Sequence, residues 1–97
     1  MSNARILVVD DEADIRDLVQ EILAEEGYTV ETAGTAAEAR AACADQLPDL
    51  VLLDLNLPDV DGLTICRELR RHEATRRVPI LMLTARAEER DKLLGFD

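Results

Sequence analysis

Ile6-Leu7-Val8-Val9-Asp10 is a run of four apolar residues that ends in an acid, and Leu50-Val51-Leu52-Leu53-Asp54 repeats this pattern later in the chain. Strands that are buried on both faces of a parallel sheet have continuous apolar sequences of this kind. We therefore expect both segments to be interior strands. Residues 28–33 have mixed polarity, which suits an edge strand. Residues 78–83 form a further apolar strand with Pro79 near its start.

Four segments with helical character alternate with these strands. The first has apolar residues at the i, i+3, i+4 and i+7 spacing of an amphipathic helix and ends at Gly27. Thr35-Ala36-Ala37-Glu38 is a capping-box pattern that opens a second helix through about Ala44. Residues 88–94 form the fourth helix. The third helix follows the loop 56–62 and has one side formed by Leu63, Cys66, Leu69 and Arg70.

The order βαβαβαβα predicts a single domain over residues 1–97 with an α/β fold built on a doubly wound parallel sheet. Right-handed crossovers with helices on both faces favour the flavodoxin-like strand order 2-1-3-4. In that order the first and third strands are neighbours where the winding reverses. Ligands bind outside the carboxyl ends of the strands at such a point.

Composition restricts the classes of partner and compartment. The chain of 97 residues carries a formal net charge of −10, which excludes a basic surface for nucleic acid on this domain. The two cysteines, Cys43 and Cys66, have no CxxC spacing and are expected to be small buried hydrophobic residues in a reducing compartment. The N-terminus lacks signal-peptide architecture, and no apolar run approaches the roughly 20 residues that span a membrane. We expect a cytoplasmic protein without membrane contact.

Three acids follow the two interior strands. Asp10 and Asp11 end the first strand and Asp54 ends the third, so neighbouring strands would bring these carboxylates into one crevice. Each acid alone is more typical of a helix cap or a turn. Because both interior strands end in Asp at the predicted switch point, we interpret the three as a site.

Clustered carboxylates repel one another, and a hard divalent cation relieves that repulsion. Mg²⁺ takes oxygen ligands, needs only one or two carboxylates and keeps waters that a phosphate can displace. The first helix would also begin beside the crevice, and helix N-termini favour anions. A carboxylate that faces a bound phosphoryl group can attack it and form an acyl phosphate. Asp54 is the best candidate because it lies centrally at a strand end.

Three sequence blocks resemble the signature blocks of response-regulator receiver domains of bacterial two-component systems. They are residues 6–12 (ILVVDDE), 52–62 (LLDLNLPDVDG) and 79–85 (PILMLTA). Their spacing matches the family, and the similarity covers essentially the whole chain. The resemblance implies an Mg²⁺-dependent phosphoacceptor domain, with Mn²⁺ as a substitute ion. It also implies that the domain catalyses at most its own phosphorylation and dephosphorylation.

The resemblance assigns roles to individual positions. Asp54 would accept the phosphoryl group from a sensor histidine kinase or a phosphotransfer protein. Asp11 would bind the metal directly, and Asp54 would also be a ligand. Asp10 would act through water, and Asn56 would contribute its backbone carbonyl. Thr84 would donate its hydroxyl to a phosphoryl oxygen and report phosphorylation by moving.

The chain departs from the family pattern after residue 97. Receiver domains continue for roughly another fifth of their length, with a fifth strand, a fifth helix, an active-site lysine and an aromatic switch residue. The only lysine here is Lys92, which cannot take that role. We expect this truncated form to retain metal binding and to be phosphorylated slowly. We also expect self-association or domain swapping through the uncovered fourth strand and first helix.

Two other interpretations of the acidic crevice stay open. A phosphotransferase or phosphatase of the aspartyl-phosphate type would have a second Asp two residues after the nucleophile, where this chain has Asn56. A receiver-like interaction module with impaired phosphorylation would use the same fold for docking alone. A nucleotide-binding Rossmann domain is a weaker alternative than either, because no GxGxxG follows the first strand.

Overall fold

Four strands and three helices alternate along the part of the chain that the computed structural model describes, residues 4–55 and 57–83. The predicted fourth helix, residues 88–94, lies outside the described residues. None of the described helices is long and apolar enough to cross a membrane. The elements in chain order are β1 (Arg5–Val9), α1 (Ala13–Glu25), β2 (Thr29–Ala33), α2 (Ala36–Asp45), β3 (Leu50–Asp54), α3 (Gly62–Arg71) and β4 (Ile80–Leu83).

The strands form one parallel sheet in the order β2-β1-β3-β4, as the sequence predicts for a flavodoxin-like topology. β1 and β3 are its two interior strands, and four of the five residues in each are buried. The mixed polarity of β2 matches its position at one edge. In the pairing of β1 with β3, Val9 lies opposite Leu53, so the two strands end side by side.

Each face of the sheet has its own apolar core, because successive side chains of a strand point to opposite faces. Leu7, Val9, Val51 and Leu53 pack with residues of α2 and α3, among them Ile65. The alternate positions Ile6, Val8 and Leu52 pack with α1 through Val19 and Leu23. Helices therefore cover both faces, and the sheet is doubly wound.

Side chains define the starts of α2 and α3. The Thr35 hydroxyl accepts a hydrogen bond from the Glu38 N–H (3.1 Å), which is one half of the predicted capping box. The Glu38 carboxylate does not return to Thr35; it accepts from the Gly34 N–H one residue earlier (2.7 Å). Asp61 caps α3 by accepting from the Leu63 N–H.

Two details of the sequence interpretation were wrong. Arg70, which the sequence interpretation placed on the same side of α3 as Leu69, is exposed, and its guanidinium donates to the carbonyls of Arg76 and Val78. Ile65 occupies the buried side instead, at 2% exposure. The last strand begins at Ile80 and not at Val78, since Val78 closes a turn with the Thr75 carbonyl and Pro79 has no N–H to donate.

Several large apolar side chains on α1 and β4 are exposed. Leu18 and Ile22 of α1 are each 53% exposed, and Leu81 of the edge strand β4 is 55% exposed. Self-association through these elements stays a prediction, which light scattering over a concentration series would test.

The interior strands should dominate stability. Leu53 is fully buried in the core shared with α2 and α3, so Leu53→Ala should lower the free energy of unfolding by about 2–5 kcal/mol. Leu18→Ala is the matched control: it removes the same atoms from an exposed position and should change stability by at most about 0.5 kcal/mol. Urea denaturation followed by circular dichroism measures both. Equal losses in the two variants would contradict this assignment of the core.

Candidate functional site

Asp10, Asp11 and Asp54 meet at the carboxyl ends of β1 and β3. Asp54 is the last residue of β3, and Asp10 and Asp11 directly follow Val9, which lies opposite Leu53. One carboxylate oxygen from each acid lies within 4.8 Å of the others. Asp10 and Asp54 are buried, at 5% and 4% exposure, whereas Asp11 is exposed. Two of the three carboxylates therefore lie at the buried bottom of the site, and the third is exposed to solvent.

Asp10 is fixed through its backbone and its carboxylate. Its N–H donates to the Ala33 carbonyl of β2 (3.0 Å), and its own carbonyl accepts from the Arg16 guanidinium of α1 (2.7 Å). The carboxylate accepts from the Glu12 N–H (2.9 Å), which forms a local turn just before α1. Contacts from both neighbouring elements thus hold the acid where β1 ends.

The loop after Asp54 folds closely against the end of β3. The Gly62 N–H donates to the Leu55 carbonyl (3.0 Å). A Cβ atom at residue 62 would lie 2.6 Å from the Leu55 Cα and 2.7 Å from the Asp54 carbonyl oxygen. Both atoms belong to the backbone and cannot rotate away. Glycine is therefore required at residue 62 for the loop to return to the end of β3.

Asp59 of the same loop caps α2, a role that the sequence interpretation did not assign. Its carboxylate accepts from the N–H groups of Ala36 (2.8 Å) and Ala37 (3.1 Å), and also from that of Val60 (3.1 Å). These backbone hydrogen bonds, with that from Ala36 contributing most, lower the pKa of the Asp59 carboxyl below its ordinary value. Local sequence gives no signal for this contact, because the donors lie more than twenty residues earlier. The loop that follows Asp54 is thereby fastened to α2.

The donor set suits a hard divalent cation. Three carboxylates at this separation repel one another, and two of them are largely withdrawn from water. An oxygen-ligated Mg²⁺ relieves that repulsion while keeping coordination positions for water. The residues present therefore fit the metal that the sequence predicts.

The structure brings three of the predicted site residues together. Asp10, Asp11 and Asp54 form the acidic cluster. Asn56 and Thr84 lie outside the described residues, so their roles stay predictions. Pro58 is described, in the loop between β3 and α3.

Comparison with known proteins identifies the family. A profile of the response regulator receiver domain matches residues 6–97. The chain belongs to the response-regulator receiver family. It is 47% identical over 93 residues to the DNA-binding dual master transcriptional regulator RpaA of Synechocystis, covering 96% of this chain and 39% of that protein. It is 46% identical over 95 residues to the alkaline phosphatase synthesis transcriptional regulatory protein PhoP of Bacillus subtilis, covering 98% and 39%.

Solved receiver structures share the fold. The N-terminal domain of a response regulator receiver protein from Methanoculleus marisnigri superposes with a TM-score of 0.83 at 38% identity, covering 97% of this chain and 78% of that one. The chemotaxis response regulator CheY4 of Vibrio cholerae superposes with a TM-score of 0.84 at 32% identity, covering 98% and 82%. The receiver chain spans about two-fifths of the length of the curated relatives it matches.

Gly62→Ala should disturb the backbone beside Asp54. The added methyl group would force the backbone of residues 54 and 55 to move, at a cost of about 1–3 kcal/mol. Gly27→Ala is the matched control: Gly27 has φ +95° and open space within 4 Å of the position that a methyl group would take, so the cost of about 1 kcal/mol is conformational. Amide NMR should show shifts around residues 54 and 55 only for Gly62→Ala. Shifts there in both variants, or in neither, would refute the role of Gly62.

The cap formed by Asp59 should make the free energy of unfolding depend on pH in the acidic range. A carboxyl whose pKa is lowered by folding stabilises the fold above its unfolded pKa, and this stabilisation is lost as the pH falls through the folded pKa. Between about pH 5 and about pH 2, Asp59→Asn should therefore lose less stability than the parent chain. Gln20→Ala, an exposed change on α1 that removes no titratable group, is the control and should follow the parent. Identical pH profiles for the parent and Asp59→Asn would exclude the contribution of this charge.

Proposed function

We propose that this receiver domain accepts a phosphoryl group on Asp54 in an Mg²⁺-dependent reaction. One observation carries the proposal: the carboxylates of Asp10, Asp11 and Asp54 lie within 4.8 Å of one another at the ends of adjacent parallel strands. Membership of the receiver family supports a signalling role for this constellation. The Mg²⁺-dependent phosphorylation of Asp54 is the part that we propose.

The acidic cluster would hold the cation with divided roles. Asp11 and Asp54 would be direct ligands, Asp10 would act through a bound water, and Asn56 would contribute its backbone carbonyl. The hydrogen bond from the Glu12 N–H orients the Asp10 carboxylate and supports its proposed contact with the metal through a bound water. Bound Mg²⁺, or Mn²⁺ in its place, would neutralise charge between the acidic cluster and an incoming phosphoryl group.

Asp54 would act as the nucleophile. A carboxylate oxygen of Asp54 forms a bond to phosphorus while the bond from phosphorus to the donor nitrogen breaks, and the electron pair leaves with the imidazole of the phosphohistidine. The product is an acyl phosphate on Asp54. Its position at the end of a buried interior strand limits movement of the nucleophile. Thr84 would donate its hydroxyl to a phosphoryl oxygen of the product.

The phosphoryl donor would be a sensor histidine kinase or a phosphotransfer protein. Relatives of this chain are named transcriptional regulators, and RpaA is named as DNA-binding. We propose that phosphorylation of this domain controls a transcriptional output of the same kind. The net charge of −10 makes this domain itself a poor nucleic-acid surface.

Acetyl phosphate provides a direct test of the phosphoacceptor. In the presence of Mg²⁺, intact-mass analysis should show an increase of one phosphoryl group that hydroxylamine removes. The adduct should be absent in Asp54→Asn and retained in Asp17→Asn, an exposed aspartate on α1. Chelation of Mg²⁺ should prevent it. Mg²⁺ at ten times its Kd should also stabilise the parent chain by about 1.4 kcal/mol through mass action, and this effect should weaken in Asp11→Asn.

Other outcomes of these experiments would indicate a different function for the acidic crevice. Continuous release of phosphate without a stable adduct would indicate the phosphatase interpretation. A folded chain that neither forms an adduct nor gains stability from Mg²⁺ would indicate the interaction module. An adduct that persists in Asp54→Asn would place the phosphoacceptor elsewhere in the chain.

A further inference from the structure

A cavity of about 270 Å³ opens between α2 and α3, on the side of the sheet opposite α1. Its floor is formed by Leu7, Val51 and Ile65, each at most 2% exposed, so it reaches down to the apolar core. Asp10, Asp11 and Asp54 do not line it. The cavity is therefore separate from the acidic site, and an argument about its ligand does not depend on the phosphoacceptor proposal.

The composition of α2 explains the space. Its ten residues include six alanines and one cysteine, and Ala39 and Cys43 line the cavity from positions one helical turn apart. Their side chains are too short to fill the distance to Leu69 on α3, which lines the opposite side. Protein interiors are normally packed with few voids larger than a water molecule. This cavity reaches the core and is open to solvent at its rim, where Arg40 is exposed, so a ligand could enter it.

The charges at the rim neutralise each other. The Arg40 guanidinium donates to both carboxylate oxygens of Glu68, from Nε to Oε1 at 2.8 Å and from Nη2 to Oε2 at 3.2 Å. Both residues line the cavity. A bidentate pair of this kind leaves little net charge to attract an ion. Apart from His72 and Thr75, the remaining wall is apolar, so an uncharged ligand fits it best.

One buried hydroxyl adds a polar element to the lining. Thr75 is 7% exposed and lines the cavity, and its hydroxyl donates to the Leu69 carbonyl at 2.7 Å. A hydroxyl that donates its hydrogen still has lone pairs with which it can accept. A ligand with a single N–H or O–H group could donate to this oxygen while its apolar part contacts the floor.

We propose that the cavity between α2 and α3 binds a small uncharged aromatic molecule that carries one hydrogen-bond donor, of the size of phenol or indole. An engineered apolar cavity of roughly 150 Å³ takes up benzene, and pockets for drug-sized ligands begin at about 300 Å³. The volume here lies between those values. Thr75 would select for the donor, and the apolar side chains of the lining would contact the uncharged ring.

Amide NMR titration with indole and with toluene tests the proposal. Indole should shift the amides of cavity-lining residues in the parent chain. Cys43→Leu fills the cavity and should weaken indole binding by about tenfold or more. Cys66→Leu is the matched control, since Cys66 is also partly buried against the same core but does not line the cavity; its affinity should equal that of the parent. Thr75→Val should weaken indole by about fivefold relative to toluene.

A second measurement needs no substitution. Bound indole should slow the alkylation of the Cys43 thiol by iodoacetamide and leave that of Cys66 unchanged, with both rates read by peptide mass analysis. The proposal is overturned if indole shifts no cavity amides in the parent chain or does not slow the alkylation of Cys43. It is also overturned if Cys43→Leu binds indole as tightly as the parent does, once the amide spectrum of this variant confirms that it is folded. Equal weakening of indole and toluene in Thr75→Val would overturn the requirement for a donor.

Discussion

The parallel pairing of β1 with β3 is the constraint on which the site depends. Val9 lies opposite Leu53, so the residues that follow them, Asp10 and Asp54, emerge at the same edge of the sheet. A shift of this register by one residue would turn the side chains of one strand to the other face and separate the carboxylates. The apolar side chains that bury both strands fix the register. The core therefore stabilises an arrangement of acids that is electrostatically unfavourable without a cation.

Hydrogen bonds around the acidic cluster connect the ends of β1 and β3 to the helices. Arg16 joins α1 to the carbonyl of Asp10, while Asp59 joins the loop after Asp54 to the start of α2. Gly62 lets the first turn of α3 approach the backbone at Asp54 more closely than any other residue would permit. Each of the three helices in the described part of the chain thus contacts the site or its loop through its N-terminal part or the turn before it.

Much of this architecture could be predicted from the sequence, because its signals are local. Continuous apolar runs predict β1 and β3, mixed polarity predicts the edge strand β2, and the switch-point rule predicts where Asp10 and Asp54 meet. The contacts of Asp59 could not be predicted, since they join residues that only the tertiary fold brings together. Periodicity also grouped Arg70 with Leu69 on one side of α3, although Arg70 is exposed and Ile65 packs in the core. Short amphipathic helices offer several faces of similar character, and packing selects one of them.

The alanines of α2 show that helix formation and core packing are separate requirements. Alanine has the highest intrinsic helix propensity, and the caps from Thr35 and Asp59 satisfy N–H groups in the first turn, so α2 can form without large side chains. The same small side chains leave the space in front of Leu7 and Val51 unfilled. The Arg40–Glu68 pair holds α2 to α3 at the rim of that space, where apolar contact would otherwise be needed. Helix formation by α2 therefore does not require a filled interface with α3, and larger side chains on α2 would close the cavity between them.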